Sequence, residues 1–152
     1  MKVVVQRVLK SSVEVDDRIV GSIDKGLMLL VGFTYGDDER TIDYMVDKII
    51  NLRIFDDENG IMNKSIIDVN GSILSVSQFT LYADASKGRR PSYINALKGR
   101  DAVLLYDYFN KKIRDNGINV ECGIFGEDMK VSLINDGPVT IILEKGDKNE
   151  KR

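Results

Sequence analysis

Two short segments hold the residues that could do chemistry in this chain: Ser77-Gln78-Phe79-Thr80-Leu81 and Asn135-Asp136-Gly137-Pro138-Val139-Thr140. Each sets small polar groups and free backbone beside an apolar run, where a plain core strand would continue in Val, Ile or Leu. The sequence contains no histidine and a single cysteine, Cys122. That excludes Ser-His-Asp and Cys-His nucleophile systems and zinc sites built from His and Cys ligands. Strand alternation would place Ser77, Phe79 and Leu81 on one face, with Gln78 and Thr80 on the other. Gln78 and Thr80 then line a pocket or simply face solvent. A nucleophilic Thr80 also needs a base, and its own amine is not free to serve.

Pro138 is one of two prolines and sits between two strand patterns. Because it cannot donate to a ladder, it marks a turn, a bulge or an edge, the plain turn being the simplest of these. The acidic run Asp56-Asp57-Glu58-Asn59-Gly60 fails as a calcium loop. Aligned from Asp56, its glycine falls one position early and Ile67 occupies the closing ligand position, so a solvated turn is expected. Gly123-Ile124-Phe125-Gly126 has the spacing of a backbone clamp, but Glu127-Asp128 follow at once and would repel phosphate. No metal or cofactor is expected. The net charge of −2 confines any nucleic-acid contact to a local patch. Lys87-Gly88-Arg89-Arg90, followed by Lys98 and Arg100, is either that patch or a solvated loop.

The elements that must position these residues follow from periodicity. Val3, Val5, Val13, Val15, Ile19 and Ile23 predict a β-meander, with Asp16-Asp17 at a hairpin tip. Residues 27–33 form a continuous apolar run, suited to a strand buried on both faces. After the acidic start Asp37-Asp38-Glu39, the stripe Ile42, Met45, Val46, Ile49, Ile50 predicts a helix. Strand signals resume at 52–55, and Asn70-Gly71 predicts a hairpin turn into residues 73–77. A second helix is expected over about 101–116 on the stripe Ala102, Leu105, Tyr106, Phe109, Ile113. Two closing strands, 130–134 and 139–144, flank residues 135–138. The order predicts an α+β fold with a mostly antiparallel sheet, curled into a β-barrel-like core under two covering helices. One domain over residues 1–144 is expected, followed by a charged, disordered tail at 145–152.

The length of 152 residues is enough to bury roughly 68–70% of the unfolded surface. No apolar run reaches the length of a membrane span, and the charged start does not suit a secretory leader. With one cysteine and no disulfide, a cytoplasmic protein is expected.

Together, several segments resemble the D-aminoacyl-tRNA deacylase family. They are Val5-Gln6-Arg7-Val8, Asn51-Leu52-Arg53-Ile54-Phe55, Met62-Asn63, Ser77-Gln78-Phe79-Thr80-Leu81, Arg90-Pro91-Ser92 and Asn135-Asp136-Gly137-Pro138-Val139-Thr140, and they span nearly the whole chain. Glu127 stands where the family usually has Ala, Ile61 where Lys is usual, and Tyr93 where Phe is usual. The resemblance implies a homodimer with two active sites at its interface. There the 77–81 segment of one subunit meets the Gly137-Pro138 turn, with a cis bond, of the other. It implies hydrolysis of the ester of D-aminoacyl-tRNA, with some action on glycyl-tRNA mischarged on tRNA(Ala). Catalysis would fall to Ser77, Gln78, Phe79 and Thr80, with backbone N–H groups over residues 78–80 as the oxyanion hole. Substrate binding and chiral selection would fall to Gly137, Pro138, Leu81, Asn135 and Met129, and tRNA binding to Lys87, Arg89 and Arg90. Two other readings stay open: a hydrolase of small activated esters with a Thr or Ser nucleophile, and a non-catalytic RNA-binding module.

Overall fold

A computed structural model describes residues 1–146; the expected tail beyond Gly146 lies outside them. The N-terminal apolar alternation forms one long strand, β1 (Lys2–Val15), whose return arm is split in two. β2 (Arg18–Ile23) pairs with the far half of β1 and β3 (Gly26–Gly32) with the near half. The expected meander is thus a long ribbon interrupted at Asp24-Lys25. Asp16 and Asp17 form the tip at φ 50° and 63°, a region that short polar side chains tolerate. After β3, α1 (Glu39–Asn51) crosses over and β6 (Ser72–Ser77) returns parallel to β3. After β6, α2 (Gly99–Asp115) leads to β7 (Val120–Cys122), parallel to β6. These two parallel pairs depart from the otherwise antiparallel pattern, because each needs the long crossover that a helix provides.

β8 (Lys130–Glu144) runs antiparallel along the other edge of β1. At the far side β2 closes on β7, where a Cβ on Gly21 would lie 2.8 Å from the Cys122 carbonyl oxygen. The sheet is therefore a nearly closed barrel, as expected. β3 is apolar throughout, and the middle of β6 (residues 73–76) is buried, because both faces are covered. Leu27, Leu29, Val31 and Ile73 pack toward the buried stripes of the helices, including Ile42, Ile49 and Phe109. Met28, Leu74 and Val76 pack into the barrel, against Met129, Val131 and Leu133. α1 starts on a capping box between Asp38 and Thr41, which satisfies orphan N–H groups of its first turn. In α2 the Tyr106 hydroxyl donates to the Ser75 carbonyl at 2.7 Å, tying the helix to the strand that carries the site. Among the described residues no helix is long and apolar enough to cross a membrane.

One turn and one strand need correction. Asn70-Gly71 does not join a hairpin. Gly71 N–H donates to Ile66 O and Asn70 N–H to Ile67 O, at 3.0 and 3.1 Å, with Asn70 at φ 53°. This is the pattern that ends a helical turn, and the same tolerance for positive φ is used for a different purpose. The strand expected at 52–55 begins later, as β4 (Phe55–Asp56), and pairs with β5 (Met62–Lys64). The acidic run between them is the expected solvated turn, in which Asp57 Oδ1 accepts from the N–H groups of Asn59 and Ile61.

Candidate active site

The 77–81 segment is not a strand throughout. β6 ends at Ser77, and Phe79–Tyr82 forms a 3₁₀ turn, so the expected two-face alternation fails. The strand stops because Gln78 N–H still completes the sheet, donating to Val31 O at 2.7 Å, while Gln78 O accepts from Leu81 N–H at 3.3 Å. The N–H groups of Phe79 and Thr80 precede that first turn bond and have no acceptor within the turn. The Gln78 amide donates to the Thr80 hydroxyl at 2.5 Å. Lys2 Nζ donates to Leu81 O at 3.2 Å and lies 5.0 Å from the centre of the Tyr82 ring, fixing the far end of the turn. Burial pushes the Tyr82 phenol well above its ordinary pKa, so it stays neutral. Ser77, Gln78 and Phe79 line a cleft of about 300 Å³, together with Gly32, Met129 and Glu127 among others. Thr80 and Leu81 do not line it.

The second segment is not a turn between strands. β8 runs straight through it, and Asn135 pairs with Val8 while Thr140 pairs with Gln6, so residues 136–139 bulge out opposite Arg7. From Gln6 to Lys10, four steps along β1 are matched by six along β8. Asn135 is committed to the bulge itself. Its Nδ2 donates to Thr140 Oγ1 at 2.9 Å, and its Oδ1 accepts from Val139 N–H at 2.8 Å. The Gly137-Pro138 peptide is cis, and both residues are exposed.

Arg7, only 7% exposed, organises this region. Its Nε donates to Asp136 O at 3.0 Å and its Nη1 to Ile54 O at 2.8 Å, while Asp56 and Asp136 carboxylates lie at 3.3 and 3.5 Å. It thus ties the bulge to the β4 side of the fold. Sequence reasoning gave it no role. The signal was present, since Val3, Val5 and Arg7 share one strand face and a charge on an inward face requires partners.

Within one protomer the two segments lie apart. The residue pairing Gln78 with the sheet is Val31, opposite Val3, which is about 13 Å along β1 from Arg7. Met129 joins the cleft from just before β8, whereas Asn135, Gly137 and Pro138 do not reach it. The basic loop grows from the cleft rim. Asp84 and Ser92 exchange backbone hydrogen bonds of 2.8 Å, closing a loop with Lys87, Arg89 and Arg90 exposed on it. The Asp84 carboxyl is held below its usual range by hydrogen bonds from Ser86.

The profile of the family described as D-Tyr-tRNA(Tyr) deacylase matches residues 4–144. This chain belongs to that family. A D-aminoacyl-tRNA deacylase of Bacillus cytotoxicus is 58% identical over 144 residues, covering 95% of this chain and 99% of the relative. One from Bacillus cereus (strain B4264) is 57% identical with the same coverage. Among solved structures, a c-Myc DNA unwinding element binding protein superimposes with a TM-score of 0.91 at 39% identity, covering 97% of this chain and all of that one (100%). A probable eukaryotic D-amino acid tRNA deacylase shares the fold at a TM-score of 0.80 and 19% identity, over 93% of this chain and 97% of its own. The deacylase family thus accounts for the whole barrel, from β1 to the end of β8.

Proposed function

We propose that the protein hydrolyses the ester bond of D-aminoacyl-tRNA, releasing the D-amino acid and free tRNA, and so proofreads chirality in translation in the cytoplasm. The observation that carries this is the turn at the cleft wall, in which Phe79 lines the cleft and Thr80 follows it. It offers two uncommitted backbone N–H groups beside a surface with no histidine. An aminoacyl ester is already activated, and the neighbouring ribose 2′-OH assists attack by water. The protein then has only to hold the ester and stabilise the oxyanion. An additional ~10³-fold corresponds to about 4 kcal/mol, within reach of preorganised backbone donors. The hole narrows from residues 78–80 to Phe79 and Thr80, because Gln78 N–H is used by the sheet.

Ser77, Gln78 and Phe79 form the wall, and the Thr80 hydroxyl has a supporting role. Its partner is the Gln78 amide, a donor that cannot take up a proton, which disfavours the small-ester hydrolase with a Thr nucleophile. Thr80→Val is accordingly expected to keep more than about a tenth of the single-turnover rate, a loss under ~1.4 kcal/mol. A residual rate near the uncatalysed one would make Thr80 the nucleophile.

Gly137 and Pro138 select handedness from the partner subunit of a homodimer. They are exposed on a bulge too far along β1 to reach their own protomer's cleft, and the outer edge of β8 beside them pairs with no strand among the described residues. An unpaired edge that carries exposed Ile134 and Ile142 invites a second chain. Leu81 and Asn135 support this arrangement by fixing the turn and the bulge, while Met129 lines the cleft. Lys87, Arg89 and Arg90 hold the acceptor end of the tRNA, and residues 1–144 suffice for the reaction. Excluding an L side chain would not exclude glycine, so some hydrolysis of glycyl-tRNA, including that mischarged on tRNA(Ala), accompanies the main activity. The deciding assay compares enantiomers on one tRNA. The D-ester should be cleaved while the L-ester survives, and equal rates would overturn the assignment, as would binding without turnover.

A further inference from the structure

We infer that Lys98 is a phosphate contact for the 3′ end of the RNA, seated at the lip of the cleft on Phe79 and Tyr93. This rests on the deacylase function proposed above and extends it to a residue outside the basic loop. Lys98 Nζ lies 4.8 Å from the centre of the Phe79 ring and 5.5 Å from that of Tyr93. The two rings meet edge to face at 5.2 Å. Phe79 lines the cleft and Leu97, the neighbour of Lys98, lines it too. The ammonium is therefore held at the rim by ring faces, while no carboxylate among the described residues pairs with it. Three N–H donors stay available. A ring face positions a cation without neutralising it, so the charge remains free for an anion.

The geometry also says which anion. The ester to be cleaved sits at Phe79 and Thr80, and the first phosphate of the RNA chain is one ribose away from it. Lys98 is the cation one side chain away from Phe79. Tyr93 follows Ser92, which closes the basic loop, and Arg90 is within about 7 Å of Ser92 even for extended chain. Lys98, Tyr93 and the loop form one track leading away from the cleft, which suits successive phosphates of a single strand crossed by an aromatic surface.

The test uses Lys98→Gln and Lys98→Arg in the full chain, with uncharged tRNA for binding and both D-aminoacyl-tRNA and D-aminoacyl-adenosine as substrates. Each phosphate neutralised on a single strand contributes ~0.7 to the slope of log affinity against log salt. Lys98→Gln should lower the slope for tRNA by about 0.7, so that wild type loses about fivefold more affinity than the variant over a tenfold rise in salt. Lys98→Arg should keep the slope. The kcat/KM of Lys98→Gln should fall several-fold further on the tRNA ester than on the adenosine ester, which has no phosphate. An unchanged slope, or equal losses on both esters, would overturn the inference and make Lys98 a prop for Phe79. If wild type cleaves neither ester the deacylase function fails, and the slope still decides whether Lys98 meets phosphate.

Discussion

Arg7→Ala is expected to lower stability by about 2–4 kcal/mol and to cut D-aminoacyl-tRNA hydrolysis at least a hundredfold. The stability loss comes from two carbonyls that lose their donor, Ile54 O in a buried contact and Asp136 O in a part-buried one; a buried orphan costs ~1–3 kcal/mol. The half-exposed carboxylates of Asp56 and Asp136 add little, since water screens them. The activity loss has a different origin. Without the guanidinium nothing ties Asp136 O to the β4 side, and Gly137 and Pro138 lose their fixed place. A shift of about 1 Å at a positioning group can cost 10²-fold. Arg7→Lys should recover little, because an ammonium cannot reproduce a fork that reaches two carbonyls at once. Denaturant unfolding and single-turnover rates below the transition separate the two effects. A folded Arg7→Ala protein with near-normal turnover would show that the bulge holds itself, through Asn135 alone.

Gly32→Ala is expected to lower kcat by about 10–100-fold with a smaller change in KM. A Cβ on Gly32 would stand 2.8 Å from the Gln78 carbonyl and 3.2 Å from Leu81 Cβ. The first obstacle is backbone, so the turn over Phe79–Tyr82 must move by a few tenths of an ångström, comparable to the ~0.5 Å tolerance of a preorganised site. The displaced groups are those assigned to the oxyanion, whereas the tRNA contacts Lys87, Arg89 and Arg90 lie beyond the Asp84–Ser92 closure. Overpacking of this kind also costs ~1–3 kcal/mol of stability. Full activity in Gly32→Ala would mean that the N–H groups of Phe79 and Thr80 are not the donors that matter.

Much of the fold is legible in the sequence where one periodicity governs. The stripes of α1 and α2, the Asp16-Asp17 tip and the doubly buried β3 follow from spacing alone. The failures share a cause, in that local turn chemistry does not say what it connects. Asn70-Gly71 accepts positive φ equally well at the end of a helical turn or in a hairpin. Pro138 interrupts a ladder equally well by ending a strand or by lifting four residues out of it. The break at Gln78 is decided by a distant partner, Val31, which no window around residue 78 contains. For the site, residue types pointed to 77–81 and 135–140, but the supports Arg7, Gly32 and Lys2 come from β1 and β3. Their importance appears only once the sheet places them under the turn and the bulge.

The matching of four steps on β1 to six on β8 limits how this motif can vary in length. On one side of the bulge Val131 and Leu133 pack into the barrel with Met28 and Leu74, and on the other Ile141 and Leu143 pack with Val3, Val5 and the helix-facing core. An odd gain or loss would invert one half of the strand and expose its apolar residues. Loops tolerate drift in length one residue at a time, whereas a one-residue change here would need a compensating bulge of the kind found between Val13 and Glu14 of β1.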